Sequence, residues 1–352
     1  MIGNKILKRE AELRILQDLL GKHVLITGGA GMVGSTLAQL AVKHGAKVRI
    51  VDAMLPLYGG NPFNLESIRD EIEFVEGDIR EARVMQEAVK DTDYVFDLAA
   101  QVSYIHSNRD PLLDQDINCR GHLIVLEACR QFNPKAKIIF SSSRFVYGPT
   151  LYNPVNEDHP TNCTSIYGIH KLNVEKYCSF YHAAFNLETT CVRIANPYGP
   201  RQQMKHNAYG IVNWFIRLAM DGKPLTIYGD GKQIRDYVFV EDTAKGLMAA
   251  ALSPDTTGRI YNLGSGVGTP FREMVINVAE CVPHTAVQEV PWPADRYLVE
   301  TGDYISDISR IQAATGWTPE VTLREGIERT VAFYRENKHQ YWKASSLVVA
   351  ST

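Results

Sequence analysis

Residues 23–52 read HVLITGGAGMVGSTLAQLAVKHGAKVRIVD, and the order of residue types in this stretch decides the fold. HVLIT (23–27) and KVRIV (47–51) are apolar runs of strand length, and between them Met32 to His44 spaces its apolar residues as a helix does. The turn joining the first strand to this helix carries Gly28, Gly31 and Gly34 in a GxxGxxG pattern. Strand, glycine turn and helix in this order make an anion site. Gly28 permits the tight turn, Gly31 lets the backbone approach a pyrophosphate, and Gly34 lets the helix pack close to the strand. Met32 and Val33 open the helix, whose first amides and partial positive charge face the same anion. Asp52 closes the second strand, where a carboxylate accepts hydrogen bonds from both hydroxyls of an adenosine ribose. It would repel a 2′-phosphate, and Ala53 and Met54 bring no cation to receive one. The expectation is a dinucleotide site that takes NAD in preference to NADP.

Outward from this unit the rhythm continues through IEFV (72–75), YVFDLA (94–99), KIIFSS (137–142) and TTCVRI (189–194), with amphipathic stretches between most of them. Near-continuous apolar strands separated by helices predict an α/β fold, a doubly wound parallel sheet of the Rossmann type covered on both faces. Asp78 and Ile79 follow the third strand in EGDIR; Asp78 suits both a contact to the adenine edge and a cap for a helix over 79–90. Leu98, Ala99 and Ala100 end the fourth strand, where the backbone must approach the cofactor closely. After Tyr198 the rhythm becomes irregular and prolines recur. The expected organisation is a helical extension (1–21), an NAD-binding Rossmann domain (22–198 plus 238–266) and a smaller mixed C-terminal substrate lobe (199–237 plus 267–345).

The chain has 352 residues, 45% hydrophobic and 22% charged, with 37 Lys and Arg against 40 Asp and Glu. That composition excludes disorder and fibrous repeats, and a net charge of −3 gives no basic footprint for nucleic acid. No apolar run approaches the roughly 18 residues that suggest a transmembrane helix. Six cysteines without CxxC spacing make no disulfide framework and predict a reduced, cytoplasmic protein without structural zinc. Residues 1–21 lack the apolar core and cleavage site of a secretory signal. Ile6, Leu13, Leu16, Leu19 and Leu20 fall on one helical face with charges of mixed sign elsewhere. This predicts a helix packed on the body or on a second subunit, not on a membrane surface.

The chemistry is carried by a second motif. Tyr167 and Lys171 form a YxxxK pair in SIYGIHKLNVEKY, and residues four apart share a helix face. An ammonium near a phenol stabilises the phenolate, and a positively charged nicotinamide would lower the phenol pKa further, which makes Tyr167 a general base. Ser141, Ser142 and Ser143 end the fifth strand, at the sheet edge where doubly wound folds bind ligands. From there Ser143 would bridge the reacting hydroxyl and Tyr167.

In chain order, GxxGxxG, Asp52, GDIR, SSS-x-x-VYG, YxxxK, R-x-x-N-x-YGP and RDYVFVxD resemble the extended short-chain dehydrogenase/reductases, in their nucleotide-sugar epimerase and dehydratase branch, over roughly residues 22–340. The resemblance implies a Rossmann domain holding NAD and a smaller lobe closing over a nucleoside-diphosphate sugar. It implies Ser143, Tyr167 and Lys171 as the catalytic trio, Asn118 as support for the cofactor site, Asn196 as a diphosphate contact, and Arg235 and Arg296 as diphosphate clamps. Asp242 is read as a cap of the helix over 243–252.

The same motif separates the branches. Dehydratases of this family follow the catalytic hydroxyl residue with Asp-Glu, because losing water requires a base at C5 and an acid for the C6 hydroxyl, and the decarboxylases keep the Glu. Here Arg144 and Phe145 supply neither carboxylate, and two readings of Arg144 stand, a side chain that reaches substrate and, preferred, a solvated one. Epimerisation remains. Tyr167 takes the proton of the sugar C4 hydroxyl as hydride leaves C4, the ketosugar turns over, and hydride returns to the other face, with NAD retained throughout. A C2 epimerase or a keto-sugar oxidase or reductase would use the same trio; a non-catalytic sugar-nucleotide-binding protein would not need it. The resemblance implies a homodimer, which helices over 115–131 and 167–183 could serve; core packing explains their apolar faces equally well.

Overall fold

The computed structural model describes residues 18–292 and 302–342. Most of the expected N-terminal helix, and Arg296, lie outside the described residues. Of that helix's apolar face, Leu19 is buried in the core and Leu20 is exposed.

Seven parallel strands form the central sheet: β1 (His23–Thr27), β2 (Lys47–Asp52), β3 (Ile72–Glu76), β4 (Tyr94–Asp97), β5 (Lys137–Ser143), β6 (Thr189–Ile194) and β10 (Arg259–Leu263). Their order is β10-β6-β5-β4-β1-β2-β3. The order reverses between β1 and β4, and a doubly wound sheet opens a crevice beyond its strand ends at such a point. Strand β10 is the sheet-like unit foreseen in 238–266. Two small sheets lie apart from the large one. In one, β9 (Ile234–Phe239) lies between β7 (Asn196–Tyr198) and β11 (Gly268–Pro270); in the other, β8 (Leu225–Tyr228) pairs with β12 (Val287–Val290).

Both faces of the large sheet are covered, which is why its strands read as continuous apolar runs. On one face Val24, Ile26, Ile50 and Phe96 pack with Leu37 and Ala41 of α1 (Met32–Lys43) and with Leu247 and Ala250 of the helix Val240–Leu252. On the other, Leu25, Val95, Ile138 and Phe140 meet Met85, Val125 and Val174 from three further helices. A third cluster, with Trp214, Phe215, Met274, Ile327 and Tyr334, lies in the C-terminal part.

Two expectations about caps need correcting. The helix after EGDIR runs only from Ala82 to Ala88 with Glu81 at its N-cap, so Asp78 does not cap it. Asp242 lies inside the first turn of Val240–Leu252, and its carboxylate accepts from the amides of Glu320 and Val321, tying down a neighbouring segment instead.

The helix Ile166–Phe185 is held to the sheet by a buried ion pair. Arg193 on β6 donates from Nε and Nη2 to the two carboxylate oxygens of Glu175 at 2.9 and 2.6 Å, and Ser142 donates to Glu175 at 2.5 Å. The Glu175 side chain is wholly buried. Removing one partner of such a pair leaves a buried charge unopposed, which costs about 3–5 kcal/mol. Glu175→Gln is therefore expected to lower unfolding stability by about that amount in urea titrations. A loss below about 1 kcal/mol would show that the pair is not what fastens this helix.

Candidate active site

A cavity of about 680 Å³ opens along the carboxyl edge of the large sheet and continues into the C-terminal part. Its lining begins at the glycine turn. Gly28 has φ +68°, and a Cβ there would stand 2.8 Å from the Cα of Ala99; at Gly34 a Cβ would stand 2.4 Å from the Gly28 carbonyl oxygen. Neither position tolerates a side chain, so β1, α1 and the end of β4 meet backbone to backbone. Gly31, Met32, Val33, Leu98, Ala99 and Ala100 all line the cavity here. The approach is fixed by Thr27, whose hydroxyl donates to Asp97 at 2.8 Å and accepts from the amides of Leu98 and Ala99. Asp97 is in turn bound to buried His122 at 2.7 Å. Neither Asp97 nor His122 carries a motif signal, and both were missed in the sequence.

Asp52 lines the cavity and accepts from the amides of Ala30 and Met54 at 3.0 and 2.9 Å. Burial pushes its carboxyl up from the ordinary value, against the pull of those two amides. Asp78 and Ile79 also reach the lining. Burial alone would raise Asp78, but the Arg80 guanidinium, bound at 2.6 Å, outweighs it and holds the carboxyl below its usual range. A glycine cradle with no room for a side chain, a helix start aimed at it and a carboxylate at the end of β2 fit the dinucleotide foreseen in the sequence.

Further along, Ser141, Ser142, Ser143, Tyr167 and Lys171 share one wall. Ser143 accepts from the amide of Phe145 at 3.3 Å, which turns the chain away from β5. Tyr167 and Lys171 are buried on one face of their helix. Burial pushes the Tyr167 phenol well up; a hydrogen bond from Ser143 works against the rise and Asp114 adds to it. Burial drives the Lys171 ammonium down to about 8, against the charges of Asp97 and Asp114. Its Nζ donates to the Ser141 carbonyl at 2.9 Å and lies 5.9 Å from the Tyr167 ring centroid. In the protein alone desolvation dominates at the phenol.

Asn118 sits behind the wall and not in it. It lies in a π-helical stretch (Asp116–Gly121) between two α-helices, and such stretches often re-aim side chains at functional sites. Its amide oxygen accepts from the amide of Gln101 at 3.1 Å, and its Nδ2 donates to the Gln101 carbonyl at 2.8 Å and to Asp114 at 2.9 Å. Asp114 also accepts from Gln101 Nε2 and pairs with His170, which stands beside Lys171 in sequence. His170 inside the YxxxK motif was the available signal for this network.

The remaining wall belongs to the C-terminal part. Asn196 lines the cavity, donating to the Asp236 carbonyl at 2.7 Å, and Arg235 lines it while donating to the carbonyls of Ile234 and Gly302. Arg144 is buried and in the lining, not solvated: its Nε donates to Asn196 Oδ1 at 3.1 Å. At the far end Trp214, Phe215, Tyr228, Phe271 and Trp292 make an aromatic pocket with Thr226 and Gln233. Sequence reading missed it because its members come from four separate segments.

The Lys171 value has a consequence for stability. The folded-state pKa, about 8, lies below the ordinary 10.5, so between those pH values the unfolded chain binds the proton that the folded chain has lost. The penalty of burying the ammonium is complete below about pH 8 and fades as pH rises towards 10.5. The stability of Lys171→Met minus that of the wild type should therefore be largest near pH 7 and fall through this window, read by urea titration at several pH values. A difference that stays flat would contradict the assigned burial.

The family model described as "NAD dependent epimerase/dehydratase family" matches residues 24–264. A UDP-glucose 4-epimerase of Mycolicibacterium smegmatis is 35% identical, across 90% of this chain and the whole of that protein. Among solved structures, an epimerase of Methanothermobacter thermautotrophicus superposes with a TM-score of 0.86 at 32% identity, covering 92% of this chain and 96% of its own. A Thermotoga maritima UDP-glucose 4-epimerase with UDP-glucose gives 0.80 at 31%, covering 90% and 99%. With the glycine cradle, the reversed strand order and these likenesses together, the chain belongs to the NAD dependent epimerase/dehydratase family.

Proposed function

We propose that the chain is a nucleotide-sugar epimerase, an isomerase that inverts the C4 hydroxyl of a nucleoside-diphosphate sugar through a transient 4-keto intermediate. One observation carries the choice. Among the described lining residues the only carboxylates are Asp52 and Asp78, which close and follow β2 and β3, on the opposite side of β1 from Ser143. Removing water from C5 and C6 needs an acid and a base near the reacting hydroxyl, and here that wall offers Ser143, Tyr167 and Lys171 with Arg144 and Phe145.

Gly28, Gly31, Gly34 and Asp52 would hold NAD, with Leu98 to Ala100 against it and Asn118 securing that loop from behind. Bound NAD supplies the hydride acceptor and a positive charge. Tyr167 exchanges the proton of the sugar hydroxyl, and Ser143 donates to the same oxygen and steadies the phenolate as it forms. Lys171, charged below about pH 8, keeps this wall positive while the phenol is ionised. Asn196, Arg235 and Arg296 would grip the diphosphate, and the aromatic pocket the base. We take 199–237 with 267–345 as the substrate lobe. Six unpaired thiols favour a reducing cytoplasm. Ile169 and Phe180 are exposed on the helix of Tyr167, at 48% and 59%, and we propose that they pair with a second copy.

Purified protein should form an epimer from at least one UDP-, dTDP-, CDP- or GDP-sugar in an NMR time course without added NAD. Loss of water or carbon dioxide from the sugar would overturn the choice of branch, and lasting absorbance at 340 nm would point to an oxidase. Tyr167→Phe should lose about 10²- to 10⁴-fold in kcat while still binding NAD; unchanged turnover would remove Tyr167 from the chemistry. Phe180→Glu should move the protein towards the monomer in sedimentation velocity, and an unchanged profile would place any dimer contact elsewhere.

A further inference from the structure

The loop after β2, residues 53–60, folds back over the glycine turn. Leu55, Tyr58, Gly59 and Gly60 line the cavity. A Cβ on Gly59 would stand 3.9 Å from the Cα of Gly31, and one on Gly60 would stand 3.1 Å from the Asp52 carboxylate. The loop therefore lies across the part of the cavity whose glycines and carboxylate suit NAD. Its far end is tied down, as the Asn61 amide and the Asn64 side chain both donate to the Ala30 carbonyl. None of residues 53–60 is buried, and Leu57 is 63% exposed. Apolar packing thus holds this loop only weakly, and directed bonds decide whether it stays shut.

Those bonds come from the C-terminal part. His206 Nε2 donates to the Leu57 carbonyl at 3.1 Å, the Tyr209 hydroxyl donates to the same oxygen at 3.2 Å, and Lys205 Nζ donates to the Pro56 carbonyl at 3.5 Å. His206 and Tyr209 are both buried, with ring centroids 4.8 Å apart. Only one form of the imidazole fits. Its Nδ1 accepts from the Ala208 amide at 3.3 Å, so the single proton of the neutral ring sits on Nε2, where the Leu57 carbonyl accepts it. Gln203 accepts from the Lys205 amide through Oε1 at 2.7 Å, which leaves its amide nitrogen as the end facing the ring, 3.4 and 3.3 Å from the two ring nitrogens. A second proton would land on Nδ1, against the donors of Ala208 and Gln203.

Among the described residues, the titratable groups facing this ring are Lys205 on its own segment, Tyr209, and His106 of the helix Tyr104–Arg109 at 5.4 Å between centroids. Arg109 acts on His106 in turn, and Tyr58 on Tyr209. Each of these is neutral or cationic at pH 7. Burial lowers the affinity of His206 for a proton and Lys205 adds to the effect, against the pull of the Leu57 carbonyl.

We propose that His206 is a positioning residue for the cofactor: its neutral imidazole latches the 53–60 loop over NAD, and protonating it opens the latch. In the open form the histidine regains its ordinary value of 6.5, above that of the closed form. The latch is therefore at full strength above pH 6.5 and weakens as pH falls below it, so that NAD leaves faster in acid. The assignment depends on the NAD site and on neither the sugar nor the reacting carbon.

Purified holoenzyme is mixed with excess NAD labelled in its adenine ring, and entry of label into the protein is followed by gel filtration at pH 7.5 and 5.5. Wild type should exchange about threefold or more faster at pH 5.5. His206→Phe keeps a ring and loses the donor; it should exchange about three- to tenfold faster than wild type at pH 7.5, with no further gain at pH 5.5. Adding Tyr209→Phe should quicken exchange again. His206→Gln restores a donor that does not titrate, and should stay within about twofold of wild type at pH 7.5 yet lack the acid effect. Thermal unfolding shows whether each variant is folded, and His206→Gln decides where His206→Phe is not. Equal wild-type rates at the two pH values, an acid effect that persists without His206, or a double variant that exchanges no faster than wild type would each overturn the proposal. Because the exchange needs no sugar, these outcomes leave the epimerase reading untouched, and a failure to epimerise leaves the latch untouched.

Discussion

Tyr167, Lys171 and Glu175 recur every fourth residue along one buried face of a single helix, and the bond from Glu175 to Arg193 and Ser142 is what places the other two. Ser142 and Arg193 are paired neighbours on β5 and β6, so the carboxylate grips two strands at once, one residue from Ser143. A helix fastened only by apolar packing can slide or rotate by a fraction of a turn at small expense, because dispersion contacts are non-directional. A buried carboxylate satisfied by three directed donors cannot, since any slip leaves charge unpaired in a low dielectric. Arg193 is constrained from its other side by the Tyr147 ring, 4.7 Å from its guanidinium carbon. The distance between Ser143 and Tyr167 is thus set by an interaction that takes no part in the reaction.

The large sheet was legible in the sequence because each of its signals is local. HVLIT and TTCVRI are continuous apolar runs, and both faces of a parallel sheet are covered, so period and composition alone place them. Gly28 and Gly34 were legible for a related reason. Each excludes a Cβ through contacts made within one turn or with the adjoining strand end.

What could not be read depends on contacts between distant segments. Arg144 looked like a surface side chain, since nothing near it in sequence shows that Asn196 and Tyr304 enclose it. Asp242 lies at a helix start and so looked like a cap, but its acceptors' partners, the amides of Glu320 and Val321, lie far along the chain. The pocket of Trp214, Tyr228, Phe271 and Trp292 draws on pieces that share no periodicity. The YxxxK spacing showed that Tyr167 and Lys171 share a face but not where the ammonium points. It turns to the Ser141 carbonyl because a buried ammonium must have an acceptor, and that one is within reach.

The two pKa displacements at this wall express a single effect. Desolvation favours the neutral form of any group, so it raises an acid such as the Tyr167 phenol and lowers a base such as the Lys171 ammonium. Ionising the phenol therefore calls for positive charge, and the protein's overall charge of −3 cannot supply it from a distance. The charges that matter are the few inside the cavity. Asp97 and Asp114 keep Lys171 from falling further, yet Asp114 also opposes ionisation of the phenol. Within the protein that opposition is met by the Ser143 hydroxyl, which can donate only where the chain turns at the end of β5. A base that stays protonated until a cation and a substrate hydroxyl share its cavity is protected from idle reaction with solvent. Under the proposed mechanism, the burial that raises the Tyr167 phenol is the condition that would confine its proton transfer to the bound sugar.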